Sequence, residues 1–201
     1  MRKHIIITIL VVLSVSPAGY CREGSDGNVA ATADPGTARV ALSTNAADYI
    51  YLLTPNADVQ VAVGRRFTVQ AGLKYNRWSW GYGTDKEMKN RQQTYFLGAR
   101  WWPWYTYSGW YVGLAAQWQE YDRGGLLRKD SESGRAYGLS VSGGYALQVT
   151  RWFNIDFGIG VWGGSKTYTL YACPYCGRKI EEGRKFFFLP NEARIAAQFI
   201  F

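Results

Sequence analysis

The chain has 201 residues, of which 47% are hydrophobic and 16% aromatic, with a formal net charge of +8 and a single histidine, His4. Beyond that position no imidazole remains for general-base catalysis, a Ser/His dyad or metal ligation, which excludes hydrolases and proteases built on a histidine site. The positive charge is dispersed over turns and loops. It suits the phosphates of lipopolysaccharide or simply solvated loops, and no nucleic-acid partner is expected.

In chain order, Arg2, Lys3 and His4 precede an apolar run from Ile5 to Leu13 broken only by Thr8, and Ser16-Pro17-Ala18 supplies small residues. Residues 1–18 are therefore expected to be a secretory signal, too short for a membrane helix. Cys21 raises a lipoprotein reading, but Tyr20 stands where a lipobox needs a small residue. Residues 19–37, rich in Gly, Ala, Ser and Asp, read as a flexible leader. Residues 38–201 are expected to form one domain. No later stretch approaches the roughly 18 apolar residues of a spanning helix. That is no argument against a membrane, because a barrel strand needs only about 9–11 residues and shows apolar surface at every second one.

Period-2 alternation predicts eight strands: Arg39–Asn45, Asp58–Val63, Phe67–Ser79, Thr94–Trp102, Trp110–Tyr121, Arg135–Val149, Trp152–Thr167 and Phe188–Phe201. In the third, Phe67, Val69, Ala71, Leu73 and Tyr75 oppose Thr68, Gln70, Gly72, Lys74 and Asn76. In the last, Ala193, Ile195, Ala197, Phe199 and Phe201 oppose Glu192, Arg194, Ala196, Gln198 and Ile200. The connections at 64–66, 103–109 and 150–151 are short, and those at 46–57, 80–92, 122–134 and 168–187 are long and polar. This alternation predicts an all-β, eight-stranded antiparallel transmembrane β-barrel with short periplasmic turns and longer extracellular loops. A soluble lipocalin-like calyx would point the apolar face inward. The polar face instead carries Gly72, Gly98, Gly113, Gly138, Ser140, Ser142, Gly144, Gly158 and Gly160, suited to a crowded interior, so the apolar face is expected to point outward.

Aromatics agree. Trp101, Trp102, Trp104, Tyr105, Tyr107, Trp110 and Trp152 gather at the short-turn end, and Trp78, Trp80, Tyr82, Trp118 and Tyr121 at the long-loop end. Trp110 and Trp118 share one face about 20 Å apart along the normal, near the ~25 Å apolar band between two aromatic girdles. The final strand, with a clean apolar face and a terminal Phe201, resembles the closing strand of outer-membrane barrels.

The segments Thr44-Asn45, Leu53-Thr54-Pro55-Asn56, Val63-Gly64-Arg65-Arg66-Phe67-Thr68-Val69 and Arg100-Trp101-Trp102 resemble a Bacteroidota family of uncharacterised outer-membrane barrels, over Val40 to Phe201. The resemblance implies fold and place, no assigned activity, and genes often near those for fimbrial or other surface proteins. The Cys pair in the loop at 171–185 departs from that pattern.

Inward-facing Asp58, Asp156 and Glu192 share their face with Lys74, Arg100 and Arg194. Buried charges must be paired, so an ionic network plugging the barrel is expected, with no open pore and no catalytic role. Cys173-Pro-Tyr-Cys176-Gly177 is half a zinc ribbon by spacing. Only Cys21 remains as a further soft ligand where a structural zinc needs four, so a loop disulfide or free dithiol is expected, with metal shared between chains or redox activity as alternatives. No metal or cofactor is expected. The loop cations Lys86, Lys89, Arg91, Arg123, Arg128, Lys129, Arg178, Lys179 and Lys185, with Tyr175, are the candidates for interaction with lipopolysaccharide, a surface protein or a fimbrial component. The function expected is that of a monomeric, non-enzymatic outer-membrane barrel with a structural or surface-interaction role. A periplasmic ligand-binding barrel and a carboxylate- and Ser-based lipid-modifying enzyme are the alternatives.

Overall fold

Alternating side chains joined by tight connections make each segment pair with the next, and the sheet closes on itself. The computed structural model describes residues 39–50, 53–81, 88–124, 130–172 and 177–201. Eight antiparallel strands form one ring-like sheet: β1 (Val40–Asn45), β2 (Asn56–Ala62), β3 (Phe67–Trp80), β4 (Met88–Trp101), β5 (Gly109–Gly124), β6 (Ser131–Gln148), β7 (Phe153–Tyr171) and β8 (Lys179–Ile200). Each strand pairs with its successor, and β8 returns to β1 over Ala41–Asn45 and Ala196–Ile200. Among the described residues the only helix is α1, Ala46–Ile50. No described helix is long and apolar enough to cross a membrane, which leaves strands untested.

The alternation sets two opposite surfaces. Outward stand Leu97, Leu139 and Ile159, the last 76% exposed; inward stand Gln60, Thr68, Asn154, Asp156 and Gln198, all essentially without exposure. The predicted faces of β3 and β8 hold: Phe67, Leu73, Ile195 and Phe199 are exposed, while Thr68, Gln70, Arg194 and Gln198 are buried.

Asn45 splices α1 into this sheet. Its Oδ1 accepts from the Ala47 amide at 3.3 Å, as a helix cap does, and from the Ile195 amide at 2.9 Å. Its Nδ2 donates to the Ala193 carbonyl at 3.1 Å, so the side chain extends the β1–β8 ladder by one step. Within the segment expected as one long loop at 46–57, Ala46–Ile50 is thus helical and Asn56 begins β2.

Other boundaries also move. Residues 88–92, 122–124, 131–134, 168–171 and 179–187, expected in long loops, are strand. Polar residues such as Arg91, Gln92, Glu132, Ser133, Glu181 and Glu182 follow one another there, so alternation fades while backbone pairing continues. Between β7 and β8, Gly160 pairs with Glu192 but Val161 with Pro190, leaving Asn191 as a bulge beside a residue that has no amide to donate. The bulge shifts the phase. Even-numbered Arg194 and Ala196 face in below it, whereas Phe186 and Phe188, 87% and 73% exposed, face out above it.

The aromatic expectation needs three corrections. Trp101, Trp104, Tyr105, Trp110, Trp152, Trp80 and Trp118 are exposed, and Trp78 is half-buried. Trp102, Tyr107 and Tyr121 are buried. Trp102 follows β4 on its inner face and donates Nε1 to Thr68 Oγ1 at 3.1 Å. Tyr107 turns inward because its backbone is left-handed (φ 63°), a conformation unfavourable for a bulky residue. Its hydroxyl, donating to the Arg39 carbonyl at 2.9 Å, and its ring against Trp102 hold it there. Tyr121 lies inside with Trp162 and Phe187. Tyr82 lies outside the described residues.

Candidate functional site: the ion-pair network inside the ring

Across the bore near the short-turn end, charged side chains from four strands converge. Arg100 on β4 donates from Nη1 to Asp156 Oδ2 on β7 at 2.8 Å. Arg194 on β8 reaches the same oxygen through Nε at 2.7 Å, Asp58 Oδ2 on β2 through Nη2 at 2.5 Å, and Glu192 Oε1 through Nη1 at 3.2 Å. Ser43 on β1, directly opposite Asp58 in register, donates its hydroxyl to Asp58 at 2.7 Å and accepts from Arg194 at 3.0 Å. Two guanidiniums thus meet three carboxylates, with Arg194 touching all three. The bonds are charge-assisted, and Arg presents enough fixed donors to serve several acceptors at once.

Small residues make the room. Arg100 crosses the glycine wall of β5, where a Cβ at Gly113 would stand 3.3 Å from Arg100 Cγ. Its guanidinium lies 4.3 Å from the centroid of Tyr111. That ring needs two sockets: a Cβ at Gly144 or Gly158 would come within 2.4 or 2.6 Å of its hydroxyl. Below this layer, Trp102 packs on Tyr111 (5.0 Å) and Tyr107 (6.0 Å) and closes the short-turn end.

Of the six charges expected in the network, five come together and Lys74 does not. Lys74 Nζ pairs with Asp48 on α1 at 2.8 Å. The reason is height: Lys74 faces Asn56 at the start of β2, beside the turn that α1 fills. Ser43 and Tyr111 join the network without having been expected there, Trp102 forms the floor beneath it, and Asp48 is the unexpected partner of Lys74. The position of Ser43 opposite Asp58 follows once β1 and β2 are registered, whereas α1 carries no apolar face to betray it.

The candidate loop residues scatter. Lys89 on β4 pairs with Asp122 at 2.9 Å, Arg123 donates to Gln92 Oε1 at 2.7 Å, and Lys179 pairs with Glu182 at 3.4 Å. Lys185 lies 4.4 Å from the ring centroid of Tyr168, Arg91 is on β4, and Arg178 is exposed ahead of β8. These five strand residues, Lys89, Arg91, Arg123, Lys179 and Lys185, belong to the wall of the ring, not to loops. Lys86, Arg128, Lys129, Cys173, Tyr175 and Cys176 lie outside the described residues.

A second inner cluster sits at the long-loop end. Lys166 Nζ donates to Glu132 Oε1 at 2.6 Å, and the Tyr121 hydroxyl donates to the same oxygen at 2.7 Å. Burial pushes the Glu132 carboxyl up, but those two hydrogen bonds outweigh it and hold the group below its ordinary range.

Chemically, the network's geometry is that of a brace. Oδ2 of Asp58 and Oδ2 of Asp156 each accept from two donors, which ties β1, β2, β4, β7 and β8 together across the bore. Among the described residues no group of three or more His, Cys, Asp or Glu is placed to hold a metal ion. No curated protein and no solved structure matches the chain. A family model described as "Protein of unknown function (DUF3575)" matches residues 8–201, and the chain belongs to that family.

Proposed function

We propose that this chain is a small, monomeric barrel of a Bacteroidota outer membrane, with a filled interior and no open pore, whose role is structural or surface-interacting and not enzymatic. The observation that carries this reading is the inversion of its two surfaces. Leu139, Ile159 and Phe157 face outward while Arg100, Asp156, Gln60 and Gln198 are buried within. A water-soluble sheet buries its apolar face, since each square ångström so removed is worth roughly 25 cal/mol; a lipid-embedded barrel does the reverse. An interior of Arg, Asp and Gln also weighs against a calyx for an apolar ligand. Exposed rings at both ends, Trp110 and Trp152 at one and Trp118 and Trp80 at the other, support the placement of two headgroup levels.

On this reading the short turns face the periplasm and the long-loop end faces outward toward lipopolysaccharide and a surface or fimbrial protein. Expression followed by membrane separation and electrophoresis with and without heating tests it. A barrel sediments with the outer membrane and migrates faster unheated. A chain that stays soluble and shows no shift contradicts the proposal and favours a periplasmic calyx.

A further inference from the structure

On the outer face, the register of the sheet makes a row of direct neighbours: Glu120 on β5, Arg135 on β6, Thr167 on β7 and Arg184 on β8. Strand spacing puts the two arginines about 10 Å apart at Cα. Arg135 is 68% exposed and donates Nε to Glu120 at 3.3 Å, itself half exposed. Arg184 donates Nε to Ser165 Oγ at 2.7 Å and Nη2 to the Tyr137 hydroxyl, and its guanidinium lies 5.5 Å from the Tyr137 ring centroid. The two cations therefore flank Tyr137. On the same rim Arg77 and Arg91 stand directly opposite each other, with Asp122 as Arg91's other neighbour.

Immediately beneath lies a shallow, open apolar groove whose lining includes Tyr95, Leu97, Ala116, Trp118, Tyr137 and Leu139. Ala116 sits between Leu97 and Leu139 in register, so its small side chain forms the floor and the larger ones form walls. Tyr95 and Trp118 stack at 5.8 Å and fix one wall. Tyr137 belongs to both halves: its ring borders the groove and its hydroxyl holds Arg184.

We propose that this face binds a membrane lipid bearing a phosphate monoester, with an acyl chain over Ala116 and the phosphate accepting hydrogen bonds from Arg135 and Arg184. The inference rests on the membrane reading above. A monoester carries about 1.5–2 negative charges near neutral pH, enough to engage two guanidiniums, whereas a diester carries one. Guanidinium forks match phosphate oxygens, and basic pockets at the membrane surface select lipid head groups.

The test uses the full chain folded in phosphatidylcholine bilayers containing small equal shares of phosphatidic acid (monoester) and phosphatidylglycerol (diester), with retained lipid quantified after repurification. The wild type retains phosphatidic acid about tenfold over phosphatidylglycerol. The double variant Arg135→Gln, Arg184→Gln abolishes that preference, and Ala116→Leu, which fills the groove, weakens retention several-fold. Equal retention by wild type and double variant, with the unheated fast-migrating band intact, overturns the lipid site alone. Displacement of phosphatidic acid by millimolar inorganic phosphate also overturns it, because the groove then contributes nothing. Absence of the folded band in plain phosphatidylcholine overturns the membrane reading and this site with it.

Discussion

The two ends of the ring's interior both pair cations with carboxylates, to different effect. At the short-turn end, Arg100, Arg194, Asp58 and Asp156 are at most 4% exposed and bonded to one another through shared oxygens, over a floor of Trp102, Tyr107 and Tyr111. At the long-loop end, Lys166 and Glu132 keep 22% and 31% side-chain exposure and form a single pair topped by Tyr121. Where water is excluded, a charge persists only with full partnership, and removing one member strands the others. Where water enters, each pair stands alone and is worth little. The lower network therefore locks the closure between β8 and β1, and the upper pairs decorate it.

The largest effect that sharpens this contrast is at Arg194. Arg194→Leu leaves Asp58 and Glu192 without their cation, and unfolding measured by denaturant titration in detergent or vesicles should show a loss of about 3–5 kcal/mol. A loss below about 1 kcal/mol would erase the distinction between the two ends. Next is the fit of Tyr111 into its sockets. Gly158→Ala should cost about 1–3 kcal/mol by overpacking against the Tyr111 hydroxyl. The cost should shrink in a Tyr111→Phe background, and an unchanged cost in that double-mutant cycle would show that the hydroxyl is not the obstacle.

At the upper end, Glu132 provides a pH signature. Its carboxyl is held below its ordinary value in the folded chain, so the stability it contributes is present above that value of 4.5 and is lost as pH falls through the lower, folded one. The advantage of wild type over Glu132→Gln should be about 0.5 kcal/mol at neutral pH and fade below about pH 4.5. An advantage that grows on acidification would contradict the assignment. Smallest of all, Lys179→Ala should shift stability by less than about 0.5 kcal/mol, since its pair with Glu182 is 62% and 68% exposed.

Much of the fold was legible because period-2 alternation survives wherever one face is apolar and the other polar. The faces of β3, the lower half of β8 and the strands β5 to β7 follow from it, as does the inward position of Asp58, Arg100, Asp156, Glu192 and Arg194. What alternation does not encode was missed. Strand ends such as 131–134 and 181–185 are polar on both faces and read as loop, although their backbones pair. The bulge at Asn191 reverses the phase of β8, so Phe186 faces out on even numbering, and Pro190 is its one local sign. Trp102 and Tyr107 look like girdle residues by position along the chain, and only the left-handed turn at Tyr107 sends its ring inward. Lys74 shares the network's face but sits too high to join it, and takes Asp48 instead. The rim arginines Arg135 and Arg184 lie 49 positions apart and become neighbours only through the β6–β7–β8 register.

On the proposed reading, the exposed apolar face of the ring meets lipid. Ile159 is 76% exposed at the middle of that face. Folding of Ile159→Arg into phosphatidylcholine bilayers, followed by equilibrium denaturant titration, measures what surrounds it. A lipid-facing Ile159 predicts a loss of about 2–4 kcal/mol for a charge near the bilayer midplane. A change within about 0.5 kcal/mol, as expected for a water-exposed surface position, would contradict the account.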